Sequence, residues 1–172
     1  MSEKKSAPMA KYVLMIFILL AGCNTDLYTK HLVSKSLEPG ESITLTGGYL
    51  EIKHAQNKSA SFSMLDSIDF NVRRPLLIAL QVTGSLFVLA LIVVRRRQSF
   101  GLLLPYVLIL AGAIGNAVDR VRLGYVVDFI YFHIKHYFHW PVFNVADILI
   151  TIGMMLLILQ VIVSQRRTPT SA

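Results

Sequence analysis

Two aspartates stand in stretches of sequence that are otherwise apolar. Asp128 lies inside the apolar run at 126–130, and Asp147 lies about one turn into a long apolar block. Ionisable groups in such surroundings are costly and are functional candidates by default. Two carboxylates that meet at low dielectric share one proton, so one can act as a base on water while the other donates a proton. The two residues favour an aspartyl protease about as strongly as they favour separate ion pairs with nearby bases.

Further polar residues accompany these aspartates near the ends of the apolar blocks. Asn144 lies three residues before Asp147, and Asn116 lies three residues before Asp119. On a helix this spacing places both members of a pair on one face. Two acidic residues have a basic residue nearby in the sequence, and we interpret both pairs as structural ion pairs. They are Asp26 with Lys30 and Asp119 with Arg120.

The elements that must position these residues are four apolar blocks. Of the 172 residues, 54% are hydrophobic and 16% are charged, whereas about 25% are charged in an ordinary soluble domain. This composition excludes an ordinary soluble enzyme and a disordered chain. Because a bilayer core of about 30 Å needs about 20 helical residues, the blocks predict membrane-spanning helices at about 12–33, 75–94, 101–119 and 144–163. Residues 1–172 are expected to form one membrane-embedded domain.

Basic residues predict how the helices are oriented. Three basic groups lie on the same side of the membrane if the chain crosses it four times, and the positive-inside rule makes that side the cytoplasm. Both termini are therefore expected to be cytoplasmic. The net charge of +7 is assigned to the membrane surface, and no nucleic-acid partner is predicted. The groups are Lys4, Lys5 and Lys11, then Arg95 to Arg97, then Arg166 and Arg167.

The longer segment on the opposite side predicts a small β-sheet. Polar and apolar residues alternate on both sides of Gly47-Gly48, which is typical of a hairpin with a two-residue turn. We expect an extracytoplasmic β region at about 40–70, in which residues 61–70 are compatible with a short interfacial helix. The shorter outer segment, 119–140, is rich in aromatic residues, as is typical of a water–lipid boundary.

Five motifs follow one another along nearly the whole chain. The segments 112–120, 126–129 and 143–147 read Gly-Ala-Ile-Gly-Asn-Ala-Val-Asp-Arg, Val-Val-Asp-Phe and Phe-Asn-Val-Ala-Asp. The segments 26–30 and 57–62 read Asp-Leu-Tyr-Thr-Lys and Asn-Lys-Ser-Ala-Ser-Phe. Together they resemble the motifs of the lipoprotein signal peptidases (signal peptidase II), a family of bacterial intramembrane aspartyl proteases.

The resemblance implies a role for each of the polar residues. Asp128 and Asp147 match the catalytic pair of the family. Asn116, Arg120 and Asn144 match polar residues that, in the family, hold this pair and the substrate backbone. Other motif positions that shape the site are Asp26, Lys30, Asn57 and Asp119.

The resemblance also implies a fold, a reaction and partners. The fold is membrane α-helical, with four transmembrane helices, cytoplasmic N- and C-termini, and a small extracytoplasmic β-cradle between helices 1 and 2. The reaction removes the signal peptide from a diacylglyceryl-modified prolipoprotein by cleavage before the lipidated cysteine, with no cofactor or metal. The location is the bacterial cytoplasmic (inner) membrane, with the active site on the extracytoplasmic side. The inhibitors of the family are globomycin and myxovirescin, and we expect a monomer.

Three residues depart from the motifs of the family. Leu27 stands where the family usually has glutamine, and Ser59 and Ser61 replace a glycine and an alanine. A glycine adopts positive φ where a serine is strained, so these changes bear on substrate range and inhibitor sensitivity more than on catalysis. The alternative function is that of a diverged paralogue that binds lipoprotein precursors without cutting them, or that tolerates the inhibitors.

Two further motifs allow other interpretations. Leu20-Ala-Gly-Cys23 resembles a lipobox, but cleavage there would remove the first predicted span, so a buried helical cysteine is the favoured interpretation of Cys23. His133, His136 and His139 could form a zinc site together with Asp128. No clear helix aligns the three histidines, so histidines at the membrane interface are the favoured interpretation.

Overall fold

The computed structural model describes residues 9–58, 69–134 and 137–167, and this part of the chain forms four helices and four strands. The helices are α1 (Met9–Ser36), α2 (Phe70–Val94), α3 (Phe100–Leu123) and α4 (Val145–Arg167). The strands are β1 (Ser42–Thr46), β2 (Leu50–Asn57), β3 (Val126–Ile134) and β4 (Phe138–His139). Ser59, Ser61, His136 and most of the possible interfacial helix at 61–70 lie outside the described residues.

All four helices are long and apolar enough to cross a membrane. Much of their apolar surface is exposed, and Leu80 and Phe87 of α2 keep 66% and 64% of their surface accessible. Such exposure is expected where the surrounding solvent is lipid, because lipid tails are as apolar as these side chains. The predicted membrane α-helical class with four spans is confirmed.

Helix α3 is the centre of the bundle and packs against α1, α2 and α4. Glycines allow this close approach. A Cβ atom added to Gly112 would clash with the carbonyl oxygen of Ala146 in α4, and one added to Gly115 would clash with the carboxylate of Asp26 in α1. Small residues let helices pack closely in a membrane, where burial of apolar surface gives no driving force between helices.

The four strands form one antiparallel arrangement in the order β1-β2-β3-β4. The predicted hairpin joins β1 to β2, but its turn has three residues, 47–49, and not the predicted two. Gly47 and Gly48 have φ of 48° and 78° in this turn. Strands β3 and β4 come instead from the segment between α3 and α4, which was expected only to be aromatic and interfacial. The pairing of β2 with β3 places Asn57 opposite Val126, so the sheet joins the two segments that carry Asn57 and Asp128.

The sheet lies against one end of the bundle, which we call the sheet end. Val33 of α1 and Leu37, which directly follows α1, pack there against Phe129 of β3, in a buried apolar cluster that Ile52 and Val145 flank. The sheet end thus contains the C-terminal half of α1 and the start of α4. The positions of Asp128 and Asp147 are consequently fixed by the same packing.

Helix α2 begins earlier than the sequence indicated. Asp69 caps it by accepting a hydrogen bond from the backbone N–H of Asn71 at 2.8 Å, and the helix starts at Phe70. The sequence predicted a span that begins at about residue 75, but the capped first turn precedes this position, and Pro75 lies inside the helix. The signal was available in the sequence, since aspartate is a preferred N-cap residue.

Candidate active site

The polar residues singled out in the sequence meet at the sheet end. Helix α1 contributes Asp26 and Lys30, α3 contributes Asn116, Asp119 and Arg120, and α4 contributes Asp147. Asn57 and Asp128 come from β2 and β3, and Asn144 directly precedes α4. Hydrogen bonds and ion pairs connect eight of these nine residues into one cluster, and Arg120 joins it through electrostatic interactions.

Asn144 is fully buried and binds both aspartates. Its side-chain amide donates to Asp128 Oδ1 at 2.6 Å, and its backbone N–H donates to Asp147 Oδ2 at 3.2 Å. The carbonyl oxygen of its side chain accepts in turn from the backbone N–H of Asp147 at 2.9 Å. This reciprocal pair has the geometry of a capping box at the start of α4. The spacing of three residues was noted in the sequence, but its capping role was missed.

Asp128 is a buried acid with two amide partners. Only 3% of its surface is exposed, and Asn57 Nδ2 donates to its Oδ2 at 2.9 Å. Burial raises the pKa of Asp128 from 3.8 to about 7, and the nearby charge of Asp147 acts in the same direction. The hydrogen bonds from Asn57 and Asn144 and the charge of Lys30 oppose this rise in the pKa. Asp128 therefore keeps its proton to a higher pH than an ordinary aspartate does.

Lys30 is a buried cation surrounded by three acceptors. Its Nζ lies 2.7 Å from Asp26 Oδ2 and 3.1 Å from Asp119 Oδ2, and it donates to Asn116 Oδ1 at 2.8 Å. Because an ammonium group has only donors, it fixes the amide of Asn116 with the oxygen towards Lys30. The Nδ2 atom of Asn116 then donates to Asp147 Oδ1 at 2.9 Å. The orientation of one partner of Asp147 thus depends on Lys30.

Asp26 and Asp119 also hold the backbone near the two central aspartates. Asp26 Oδ1 accepts from the N–H of Ala146 at 2.8 Å, and Asp119 Oδ2 accepts from the N–H of Val127 at 3.1 Å. The ion pair of Asp26 with Lys30 was expected and is present. The expected pair of Asp119 with Arg120 is wrong, because Asp119 pairs with Lys30 across helices.

Arg120 binds a residue of α2 that sequence reasoning did not assign to the site. Its Nη1 donates to Oε1 of Gln81, and Gln81 Nε2 donates to the carbonyl oxygen of Ala113 at 3.1 Å. Arg120 also interacts electrostatically with Asp128, Asp147 and Asp119. A signal existed, because Gln81 is the only strongly polar side chain within residues 75–94.

Of the residues behind the alternative interpretations, the structure describes Asp128, His133, His139 and Cys23, while His136 lies outside the described residues. Asp128 is bound to Asn57 and Asn144, while His133 and His139 stack at 5.9 Å between ring centroids further along the β3–β4 hairpin. Within 9–58, 69–134 and 137–167 no group of three or more His, Cys, Asp or Glu side chains could hold a metal. Cys23 is buried in the bundle, where its Sγ donates to the carbonyl oxygen of Ala111 at 3.3 Å.

Comparison with known proteins assigns the chain to a family. The family model described as signal peptidase (SPase) II matches residues 16–163. The chain belongs to the signal peptidase II family. The matched range contains all nine polar residues of the sheet end, and membership in this family makes the protein an aspartic-type membrane hydrolase.

Individual relatives agree with this family. The chain is 41% identical to a lipoprotein signal peptidase of Geobacter metallireducens over 142 residues, which cover 83% of this chain and 86% of the relative. It is 33% identical to a lipoprotein signal peptidase of Clostridium tetani over 147 residues, which cover 86% and 91%. A solved structure of a bacterial membrane enzyme superposes with a TM-score of 0.73 at 25% identity, covering 92% of this chain and 94% of that one.

Proposed function

We propose that Asp128 and Asp147 are the catalytic pair of a membrane endopeptidase that cuts the signal peptides of prolipoproteins. The observation that carries this proposal is the position of Asn144, which donates to both carboxylates at 2.6 and 3.2 Å. One residue therefore holds two acids from different segments at a single point. The relatives that match most of the chain carry the name lipoprotein signal peptidase.

The two acids have surroundings that suit different roles. We assign the shared proton to Asp128, because burial raises the pKa of this carboxyl to about 7. Asp147 accepts N–H donors through both oxygens at the N-terminus of α4, a position that favours a negative charge. A pair of carboxylates whose environments differ in this way can divide acid and base roles between its members.

The reaction follows from this division of roles. Asp147 takes a proton from a water molecule as the water oxygen attacks the scissile carbonyl carbon. Asp128 gives its proton to the carbonyl oxygen, which forms a neutral tetrahedral intermediate. When the C–N bond breaks, the leaving nitrogen takes the proton held by Asp147, and Asp128 regains its proton from the intermediate. No residue forms a covalent bond to the substrate.

The other polar residues orient this pair and the substrate. Asn57 and Asn116 donate to Asp128 and Asp147, respectively. Arg120 presents a cation towards the aspartates and can stabilise negative charge that develops on the scissile carbonyl oxygen. Asp26, Lys30 and Asp119 hold the backbone and the Asn116 amide behind the pair.

The substrate that fits this site is a diacylglyceryl-modified prolipoprotein, cut before its lipidated cysteine. The site lies at one end of four membrane-spanning helices, so a signal-peptide helix and two acyl chains can approach it sideways through the bilayer. We place the protein in the bacterial inner membrane as a single domain, with the sheet end on the extracytoplasmic side. We also propose that it acts as a monomer and binds globomycin and myxovirescin at this site.

A cleavage assay tests the proposal. The purified protein is mixed with a diacylglyceryl-prolipoprotein in detergent, beside Asp128→Asn and Asp147→Asn. The parent should release the signal peptide, and each variant should lose at least about a thousandfold in turnover, because triad or dyad members act as a unit. Asp69→Asn is the matched control, since it removes an exposed carboxylate while asparagine still caps α2.

Two results would contradict the proposal. If the parent binds the precursor without cutting it, the protein is a binder and not a peptidase. If the parent cuts but one of the two variants keeps its turnover, that aspartate is not catalytic.

A further inference from the structure

Gln81 is a polar residue in the middle of the apolar helix α2, and both ends of its amide are bonded. Its Oε1 accepts from Arg120 Nη1, and its Nε2 donates to the carbonyl oxygen of Ala113 at 3.1 Å. Because an arginine has only donors, the amide can face it only through the oxygen. Gln81 is thus fixed in one orientation by two contacts with α3.

These contacts draw Arg120 away from the membrane surface. Ala113 precedes Arg120 by seven residues, which corresponds to about 10 Å along a helix. Arginines near the end of a spanning helix usually extend their charge outwards to the interface. Helical side chains lean towards the N-terminus of their helix. The first bonds of the Arg120 side chain therefore point towards the middle of the membrane. Gln81 supplies the acceptor that makes this inward position favourable.

We propose that Gln81 is a positioning residue that keeps the Arg120 guanidinium beside Asp128 and Asp147. This inference rests on the proposed function of the aspartate pair. Arg120 interacts electrostatically with both aspartates. Gln81 accepts from one of the five N–H groups of the guanidinium, so the contact leaves donors for the substrate oxygen. A charge held in place before the reaction stabilises a developing negative charge without reorganisation.

A purely structural role for Gln81 predicts a different outcome. Polar side chains can also join helices in a membrane, and Gln81 links α2 to α3 through the carbonyl oxygen of Ala113. Loss of that link alone would lower the stability of the protein and would not depend on Arg120. The two roles can be separated, because one uses the amide oxygen of Gln81 and the other uses its nitrogen.

Two substitutions at Gln81 make this separation in the cleavage assay. Gln81→Met has a similar length but no comparable acceptor, and it should lower kcat roughly 10- to 100-fold with little change in KM, as expected for a lost hydrogen bond to a charged group. Gln81→Glu keeps an acceptor for Arg120 but loses the donor to Ala113, and it should retain most of the activity. Thr83→Val, an exposed position two residues away, is the control and should cleave normally.

A double substitution tests whether the effect passes through Arg120. In an Arg120→Gln background, Gln81→Met should have no further effect on kcat. Full additivity of the two changes, or unchanged kcat in Gln81→Met, would overturn the inference even if the parent cleaves normally. Equal losses in Gln81→Met and Gln81→Glu would also overturn it, since that pattern belongs to the link with Ala113.

A measurement without turnover keeps the inference testable if cleavage itself is not observed. Phenylglyoxal modifies arginine side chains, and mass spectrometry of the peptides gives the rate at Arg120. Gln81→Met should release the guanidinium to the interface and raise this rate several-fold, while the rate at exposed Arg122 stays constant. An unchanged rate at Arg120 would mean that Gln81 does not position it. A parent without cleavage activity, in contrast, contradicts only the proposed function.

Discussion

At the scale of single residues, the site depends on amides whose orientation is fixed by their neighbours. Lys30 faces the oxygen of Asn116 and thereby directs its nitrogen to Asp147. The side-chain nitrogen of Asn144 donates to Asp128, and its side-chain oxygen accepts from the backbone of α4. An amide serves such a site better than a charged group, because it can donate to a carboxylate whether or not that carboxylate is protonated.

The raised pKa of Asp128 predicts how activity depends on pH. If Asp128 supplies the proton for the carbonyl oxygen, kcat/KM should fall as the pH rises through about 7, where the acid loses its proton. The measurement is kcat/KM across the pH range with one precursor. A rate that stays constant through this range would contradict the assignment of Asp128 as the acid.

The same pKa contributes to stability with a defined sign. The pKa of Asp128 in the folded protein, about 7, lies above its ordinary value of 3.8. The stabilisation is therefore fully present below the ordinary value and is lost as the pH rises through the folded value. Thermal unfolding should show this decrease, and Asp128→Asn should reduce the slope because asparagine does not titrate.

At the scale of elements, the close packing of α4 against α3 fixes the position of Asp147. A side chain at Gly112 would meet the carbonyl oxygen of Ala146 and would lie 2.8 Å from Ile150 Cγ1. Ala146 lies between Asn144 and Asp147 in the sequence. Its backbone contacts α3 so closely that no side chain fits at Gly112. The start of α4, which carries the capping box, can thus lie directly against α3 because Gly112 has no side chain.

Gly112→Ala should consequently damage both stability and activity. Overpacking a tight contact costs about 1–3 kcal/mol, and the shift of α4 would move Asp147 relative to Asp128. Unfolding temperature and the cleavage rate should both decrease. The matched control is Gly84→Ala in α2, where an added Cβ would have no neighbour within 4 Å. This control should be neutral or slightly stabilising, since alanine is the better helix former. If Gly84→Ala lost as much stability and activity as Gly112→Ala, the losses would not come from the close α3–α4 contact.

At the scale of the whole molecule, the polar cluster and the arginine-rich connection lie at opposite ends of the bundle. Residues Arg95 to Arg97 follow α2 at the end away from the sheet. At that end, Lys11 links α1 to the connection between α2 and α3 by donating to the backbone carbonyl oxygens of Arg96 and Gln98 at 2.6 and 2.9 Å. By the positive-inside rule, this separation supports the proposal that the sheet lies on the extracytoplasmic side.

Cysteine labelling in intact cells tests this orientation. Cys23 is the only cysteine and is buried, so a Cys23→Ala background removes it. An impermeant maleimide should label Thr44→Cys, in exposed β1, in intact cells. Gln98→Cys, beside the arginines, should react only after the membrane is permeabilised. The reverse pattern would contradict the proposed location of the active site.

The membrane helices, the β1–β2 hairpin and most of the polar residues of the site could be predicted from the sequence alone. Helices of this kind follow from a single local property, a run of apolar residues long enough for the bilayer. The hairpin follows from Gly47-Gly48 between two alternating stretches. Asp128 and Asp147 were visible because a carboxylate inside an apolar run is costly anywhere in the chain.

Most contacts of these polar groups could not be predicted and are known only from the folded structure. Asp119 binds Lys30 of another helix instead of its neighbour Arg120, and Arg120 binds Gln81 of α2. Strand β3 became recognisable as a strand only through its pairing with β2. The physical reason is that hydrogen bonds and ion pairs depend on positions in space, and the packing around α3 joins residues that lie up to 120 positions apart in the chain.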